Sequence, residues 1–511
     1  MADLPSPVSP PDPGLAAPPA VGTTRKTLGD GAVTMAERIG AQVSQFTIFV
    51  VAARLLGPEE FGIFALVSAC AILLLRAAEV GWAPYIMSWN GDALVPRQVV
   101  FVAILSGLIF ALAGLAGAQL AGLFGLTGDT VLLMSLFALW VWLATVCAAQ
   151  KGVMTWLDRL KSSALCEIGA EAAGLVVALG TLLQGHGVFS LVYGRLAAQV
   201  VQLVLSFRVT RMAPMPGMAL AQFKDLWAFS IRIFASRMLI FTRLYAAVFI
   251  VGAFLGPAAV GYFRAAERLV SAVAEVIMVP GQLLAWTRLR QARDGAGAQV
   301  ATPEEGQARM TGALARYMQM LFAVAGPMLV WLIVAAEDLV GGLLSAEWLP
   351  AAPLVAILAI ARILTVPGLV TEPLMSLSGK AGQLARFTAV VFVISTGLTL
   401  VSAQFGLRAV AWGQVAISAA ILAATIRLHM RHAGADWPAI WRAARRPLGP
   451  LVIAAGIYPA LHWICAPLEL PPLLRAFGFG IVALSGYLGL LVLLDRRFLR
   501  GLLASWRAET P

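Results

Sequence analysis

Leu56-Gly57-Pro58-Glu59-Glu60-Phe61-Gly62-Ile63-Phe64 is a tight polar turn between two long apolar segments. It returns later in the chain as Leu255-Gly256-Pro257-Ala258-Ala259-Val260-Gly261-Tyr262-Phe263. Gly57 to Gly256 and Gly62 to Gly261 are each 199 residues apart, and the same offset carries Arg38 onto Arg237. The glycine lets the chain reverse in few residues. The proline opens the next helix where an N–H would have no partner anyway. A hairpin repeated half a chain apart implies two equivalent lobes. In a membrane protein, two lobes imply a carrier that rocks one against the other.

The membrane reading comes from composition. The chain has 511 residues, 60% of them hydrophobic and only 12% charged, with a mean hydropathy of +0.85. A soluble protein of this length could not hide so much apolar surface. The net charge of +11 is mostly arginine. These charges sit between and within apolar spans, which speaks against nucleic acid as a partner and for membrane orientation plus an anionic ligand. The four cysteines (Cys70, Cys147, Cys166, Cys465) lie in apolar segments without CxxC spacing, and the four histidines are scattered. Their spacing suggests neither a metal site nor a disulfide, and no cofactor is expected.

A spanning helix needs about 20 apolar residues. Fourteen such segments lie between residues 32 and 495, giving an all-α integral membrane protein. With a cytoplasmic N-terminus, the inside connections hold Arg97, Lys151, Arg159, Lys161, Arg208, Arg211 and Lys224. They also hold the clusters at 288–316 and 427–446, with Lys380 and Arg386. The outside connections hold Glu59, Glu60, Asp129, Glu337, Asp338 and Glu347, and only Arg408 and Arg475 oppose the trend. This asymmetry puts both ends in the cytoplasm. The expected organisation is a Pro-rich disordered tail at 1–30, an N-lobe of six helices at 31–208 and a linker at 209–226. A C-lobe of six helices follows at 227–428, then two extra helices at 429–495 behind the basic loop Arg431–Arg446, and a basic tail at 496–511. The repeats are parallel, because six helices return the chain to its starting side.

Charges inside spans are costly and need a partner, water or a route to the interface. Helix one carries Glu37 and Arg38; helix two carries Arg76 and Glu79, three apart and able to pair. Helix five carries Glu167 and Glu171, and helix six Arg195. Helix seven carries Arg232, Arg237 and Arg243; helix eight carries Arg264, Glu267, Arg268 and Glu275. Arg232 and Arg243 are nearly eclipsed on their helix, and Arg237 points elsewhere. Several guanidinium groups in one cavity suit phosphate or pyrophosphate, which they can grip bidentately. Interspersed aromatics such as Trp82, Tyr85 and Tyr245 suit either sugar stacking or an interfacial belt. Pro280-Gly281 is expected to close helix eight, with bends at Gly326-Pro327 and Pro367-Gly368.

The segment Arg54 to Ala65, following a helix with Arg38, resembles the start of the polysaccharide transporters. These are oligosaccharide flippases of the multidrug/oligosaccharidyl-lipid/polysaccharide exporter superfamily. The second copy, Leu255-Gly256-Pro257 through Phe263-Arg264-Ala265-Ala266-Glu267-Arg268-Leu269, resembles the helix seven–eight hairpin of the same family. The resemblance runs over about residues 30–495. It implies a two-lobed alternating-access carrier, not an enzyme, in the bacterial inner membrane. Such a carrier would flip an undecaprenyl-pyrophosphate-linked oligosaccharide to the periplasmic face for O-antigen or exopolysaccharide assembly, among membrane lipids and alongside polymerase or export proteins. It points to Arg38, Arg237, Arg243, Arg264 and Arg268 as the cationic cavity residues, with the second lobe richer in arginine. Glu37, Glu79 and Glu275 are the candidate carboxylates for coupling to a proton or sodium gradient. A drug or metabolite antiporter of the same superfamily is the alternative, but cationic substrates sit badly with arginine-rich central helices. A membrane polysaccharide polymerase or ligase would need a large outer loop, and the longest outside connection, about 336–350, is short and acidic.

Overall fold

The computed structural model describes residues 24–294, 303–380 and 382–494. The expected tail at 1–30 lies outside them as far as residue 23, and the tail at 496–511 lies outside them entirely. Among the described residues the chain is helical throughout and has no strand. The first half comprises α1 (Thr24–Leu55), α2 (Pro58–Glu79), α3 (Trp82–Ser88), α4 (Leu94–Leu123), α5 (Gly128–Trp156), α6 (Leu160–Leu183) and α7 (Phe189–Thr210). The second comprises α8 (Leu220–Asp294), α9 (Pro303–Val334), α10 (Ala336–Leu343), α11 (Ala352–Thr365), α12 (Thr371–Leu377), α13 (Gln383–Ala403) and α14 (Leu407–Ala433). Helices α15 (Trp437–Ala444), α16 (Leu448–Ile464) and α17 (Pro472–Leu494) follow.

Among the described residues, eleven helices are long and apolar enough to cross a membrane, or twelve if the bent pair α15 and α16 is one span. The expected fourteen are not reached on that measure. One reason is α8, whose 75 residues run through a non-helical break at Gly256 (φ 83°, ψ 175°) and join two helices. Apolar side chains point outward along the spans, among them Ile109 and Leu112 on α4 and Ile481 and Val482 on α17. In lipid these need no cover.

Three local expectations change. Helix α8 does not close at Pro280-Gly281 but continues to Asp294. A proline removes one backbone donor, here the one that would reach the Val276 carbonyl, and a membrane helix can run on across that gap; beside it the Tyr317 hydroxyl of α9 donates to the Gly281 carbonyl and ties the two helices. The stretch Arg431–Arg446 is not a loop. Helix α14 runs to Ala433, and α15 buries Trp437, Ile440 and Ala444 with Asp436 capping its first turn through the Ala439 N–H. Between α7 and α8 the non-helical chain is 211–219, shorter than the expected 209–226. It is tied to α4: Arg97 Nε donates to the Ala213 carbonyl at 2.9 Å and Gln98 Nε2 to the Gly217 carbonyl at 3.1 Å.

The two copies of the hairpin meet. Helix α2 lies along α8, and the contact is reciprocal at the repeated glycines. A Cβ on Gly62 would stand 1.8 Å from the Pro257 carbonyl oxygen, and one on Gly261 would stand 2.0 Å from that of Pro58. Only hydrogen fits at either point, which is how small residues let membrane helices cross closely. Trp348, in the 3-10 turn Ala346–Ala351, caps this crossing. It is fully buried and stands edge-on to Phe61 of the first copy at 5.6 Å and to Tyr262 of the second at 6.0 Å. Its indole N–H donates to the Ala53 carbonyl at 2.7 Å. Arg54 donates to the Leu343 and Gly342 carbonyls at 2.8 and 2.6 Å.

Candidate functional site

A cavity of about 460 Å³ lies below this crossing, walled by α1, α2, α5, α6, α7 and α8. Close helix contact shapes one wall: Gly194 of α7 faces Gly174 and Ala178 of α6 so tightly that a Cβ would lie 2.6 Å from the Ala178 methyl. Three guanidinium groups reach the cavity: Arg195 from the first half, and Arg264 and Arg268 from the second. Among the described residues, Glu171 is the one carboxylate in its wall.

Each arginine is held differently. Arg195 is caged by aromatic faces, at 5.3 Å from the ring of Phe64 and 5.5 Å from those of Phe137 and Trp140. Stacking of this kind fixes a guanidinium plane without neutralising its charge. Arg264 donates to Glu267 at 2.8 Å, one turn along α8, and lies 6.0 Å from the Tyr245 ring. Arg268 has a buried Nη2 with no hydrogen-bond partner. A buried charged donor left unpaired is costly. The wall thus offers three cations, with Gln45, Ser68, Gln199 and Tyr245 as polar contacts beside them.

The other expected site residues are distributed differently. Arg243 lines a separate cavity, among α8, α11, α13 and α14. Arg38 and Arg237 are exposed and line neither cavity. Glu79 is paired with Arg76 at 2.6 Å, while Arg76 also lies over the Phe241 ring at 4.5 Å. Glu37 stands within hydrogen-bonding reach of Glu167, which Lys151 pairs. Glu275 accepts from Gln42 of α1, so this bond joins the two halves of the chain. Glu275 follows Gly261 by 14 residues, about 21 Å of helix at 1.5 Å per residue. Arg264 and Arg268 therefore lie along α8 between the glycine crossing and this polar tie. Among the described residues, no group of His, Cys, Asp or Glu is placed to hold a metal ion.

The chain matches the family model described as "Polysaccharide biosynthesis protein" over residues 51–353. The protein belongs to that family. The matched span holds both hairpins and all three cavity arginines. A full-length relative is the succinoglycan biosynthesis transport protein ExoT of Rhizobium meliloti (strain 1021), 24% identical over 489 residues, covering 91% of this chain and 93% of ExoT. Among solved structures, the lipid II flippase MurJ in an inward closed conformation superposes with a TM-score of 0.66 at 10% identity, covering 91% of this chain and 99% of MurJ. An inward-facing multidrug resistance MATE transporter of the MOP superfamily gives 0.60 at 17% identity over 77% of this chain and 95% of its own. These likenesses establish the fold: this polysaccharide biosynthesis family member is a multi-pass helical membrane protein built like those two structures.

Of the five arginines that the family resemblance points to, Arg264 and Arg268 line this cavity, together with Arg195, which the sequence marks only as a charge in a span. Arg195 is a lone cation in a span, and its signal was weak. The aromatic residues that cage it come from α2 and α5, over 50 residues away in sequence. Trp348 was likewise missed, because nothing local distinguishes it from an interfacial tryptophan.

Proposed function

We propose that this transporter flips a polyprenyl-pyrophosphate-linked oligosaccharide across the bacterial inner membrane to the periplasmic face, for O-antigen or exopolysaccharide assembly. The observation that carries this reading is the central cavity with three arginines from both halves and an unsatisfied guanidinium donor on Arg268. Guanidinium forks match phosphate oxygens bidentately and stay charged at any physiological pH. The headgroup enters between lobes spanning 31–208 and 227–428, and Arg195, Arg264 and Arg268 replace the water around its pyrophosphate. The lipid tail stays in the bilayer. The Gly62–Gly261 crossing then parts, opening the cavity outward.

Both chain ends lie in the cytoplasm, from the arginine asymmetry of the connections. An inside-negative potential drives the anion outward by about 2.3 kcal/mol per charge per 100 mV. Glu275 is the coupling carboxylate best supported, because its hydrogen bond to Gln42 links the halves; Glu79 is occupied by Arg76. Glu171 alone would favour a cation antiporter of MATE type, but three guanidinium groups in the same wall oppose a cationic cargo.

The test is complementation of a deletion strain with Arg195→Ala, Arg264→Ala and Arg268→Ala, singly and together. Surface polymer is expected to fall about tenfold or more for Arg268→Ala and to vanish in the triple variant, with lipid-linked sugar accumulating on the cytoplasmic leaflet. Normal surface polymer from a correctly inserted triple variant would refute the site. Dye export equal to that of a drug antiporter, with no effect on polymer, would favour the MATE-type reading.

A further inference from the structure

A second polar cavity, of about 270 Å³, lies wholly in the second half of the chain, among α8, α11, α13 and α14. It shares no lining residue with the central cavity. Two guanidinium groups from different helices line it, Arg243 of α8 and Arg362 of α11. Each has spare donors. Arg243 Nε is buried without a partner, and Arg362 Nη2 reaches only the Ser271 hydroxyl, at 3.4 Å. On the α13 wall the Thr396 hydroxyl is also buried without a partner. Its neighbour Thr399 is satisfied, accepting from Gln414 at 3.2 Å and donating to the Ser395 carbonyl at 2.8 Å.

Among the described residues the one carboxylate in this wall, Glu267, is already bound by Arg264 at 2.8 Å. The cavity therefore carries two cations against one carboxylate that a third arginine shares. Burying such a set without an acceptor is expensive. Water supplies acceptor lone pairs but no charge, and a cation would meet two arginines. We infer that this cavity binds a small inorganic anion, of the chloride or phosphate class, held between the Arg243 and Arg362 guanidinium groups. The anion ties α11 and α13 to α8. This binding does not depend on what the central cavity carries.

The test uses the purified full chain in detergent. Its melting temperature is followed by tryptophan fluorescence while chloride, or inorganic phosphate, replaces gluconate at constant ionic strength. A saturable rise is expected. Arg362→Gln should move its midpoint at least about tenfold higher, the loss of one charge-assisted contact. Glu267→Gln should move it lower, because a repelling charge leaves while the fold keeps its shape. Arg237→Gln, exposed and outside both cavities, should leave the midpoint unchanged. Equal melting in chloride, phosphate and gluconate would overturn the inference. So would a response lost in Arg237→Gln but kept in Arg362→Gln. Stabilisation by undecaprenyl pyrophosphate that needs Arg362, without any by the free anions, would also overturn it and assign the cavity to a lipid headgroup.

Discussion

Gly57–Phe64 and Gly256–Phe263 repeat one motif, cross each other through matching glycines, and are held in place by different means. At the crossing they are equivalent: Gly62 sits on the Pro257 backbone and Gly261 on the Pro58 backbone. At the turn itself they diverge. Gly57 has φ −68° and ψ 165°, open to any residue, whereas Gly256 has φ 83° and ψ 175°, a region that essentially only glycine enters. The first copy is fastened to the other half of the chain by Arg54 and by the Trp348 indole through Ala53. Residue 253, which matches Arg54 at the 199-residue offset, is alanine. Below the crossing, the second copy supplies two cavity arginines within seven residues of Gly261, while the first supplies apolar wall and Ser68. The two copies share one crossing, with the latch contacts on the first and the cavity charge on the second.

The comparison breaks most visibly at the crossing. Gly62→Leu or Gly261→Leu overfills a contact already at van der Waals limit, a class of change that costs about 1–3 kcal/mol. Closure would fail and surface polymer should drop about tenfold or more; wild-type polymer from inserted protein would mean the lobes need not meet there. Next comes the asymmetry of the turns. Gly256→Ala should destabilise by about 1–3 kcal/mol, and Gly57→Ala by less than about 0.5 kcal/mol, read as a difference in melting temperature. Equal losses would show that the turns are conformationally alike after all. Trp348→Phe keeps the ring between Phe61 and Tyr262 but removes the N–H, for about 1 kcal/mol. It should raise thiol labelling of an Ile63→Cys reporter as the outer closure loosens, and unchanged labelling would remove Trp348 from the latch. The smallest effect belongs to Glu59→Gln with Glu60→Gln. Both are exposed, so stability should stay within about 0.5 kcal/mol and polymer near wild type.

How far the site could be read ahead depended on sequence distance. Arg264 and Arg268 were legible because they follow a motif by a fixed few residues and share a helix face. Arg237 and Arg243 lie on the helix before the motif, on different faces, and one is exposed while the other lines a cavity of its own. Helical periodicity says which residues share a face but not what that face meets. Pro280 reads as a stop by local chemistry, yet α8 runs past it to Asp294.

The sequence by itself determined a membrane protein of long helices, a duplicated hairpin and an excess of intramembrane arginine, because hydropathy, turn chemistry and periodicity are local and survive without contacts. Only the tertiary structure decided that the two hairpins cross glycine to glycine, that Trp348 caps them, and that Arg195 joins Arg264 and Arg268 in one cavity while Arg243 turns away into another. Those facts depend on which helix faces which across tens to hundreds of residues, and close approach between segments leaves no periodic trace in either one.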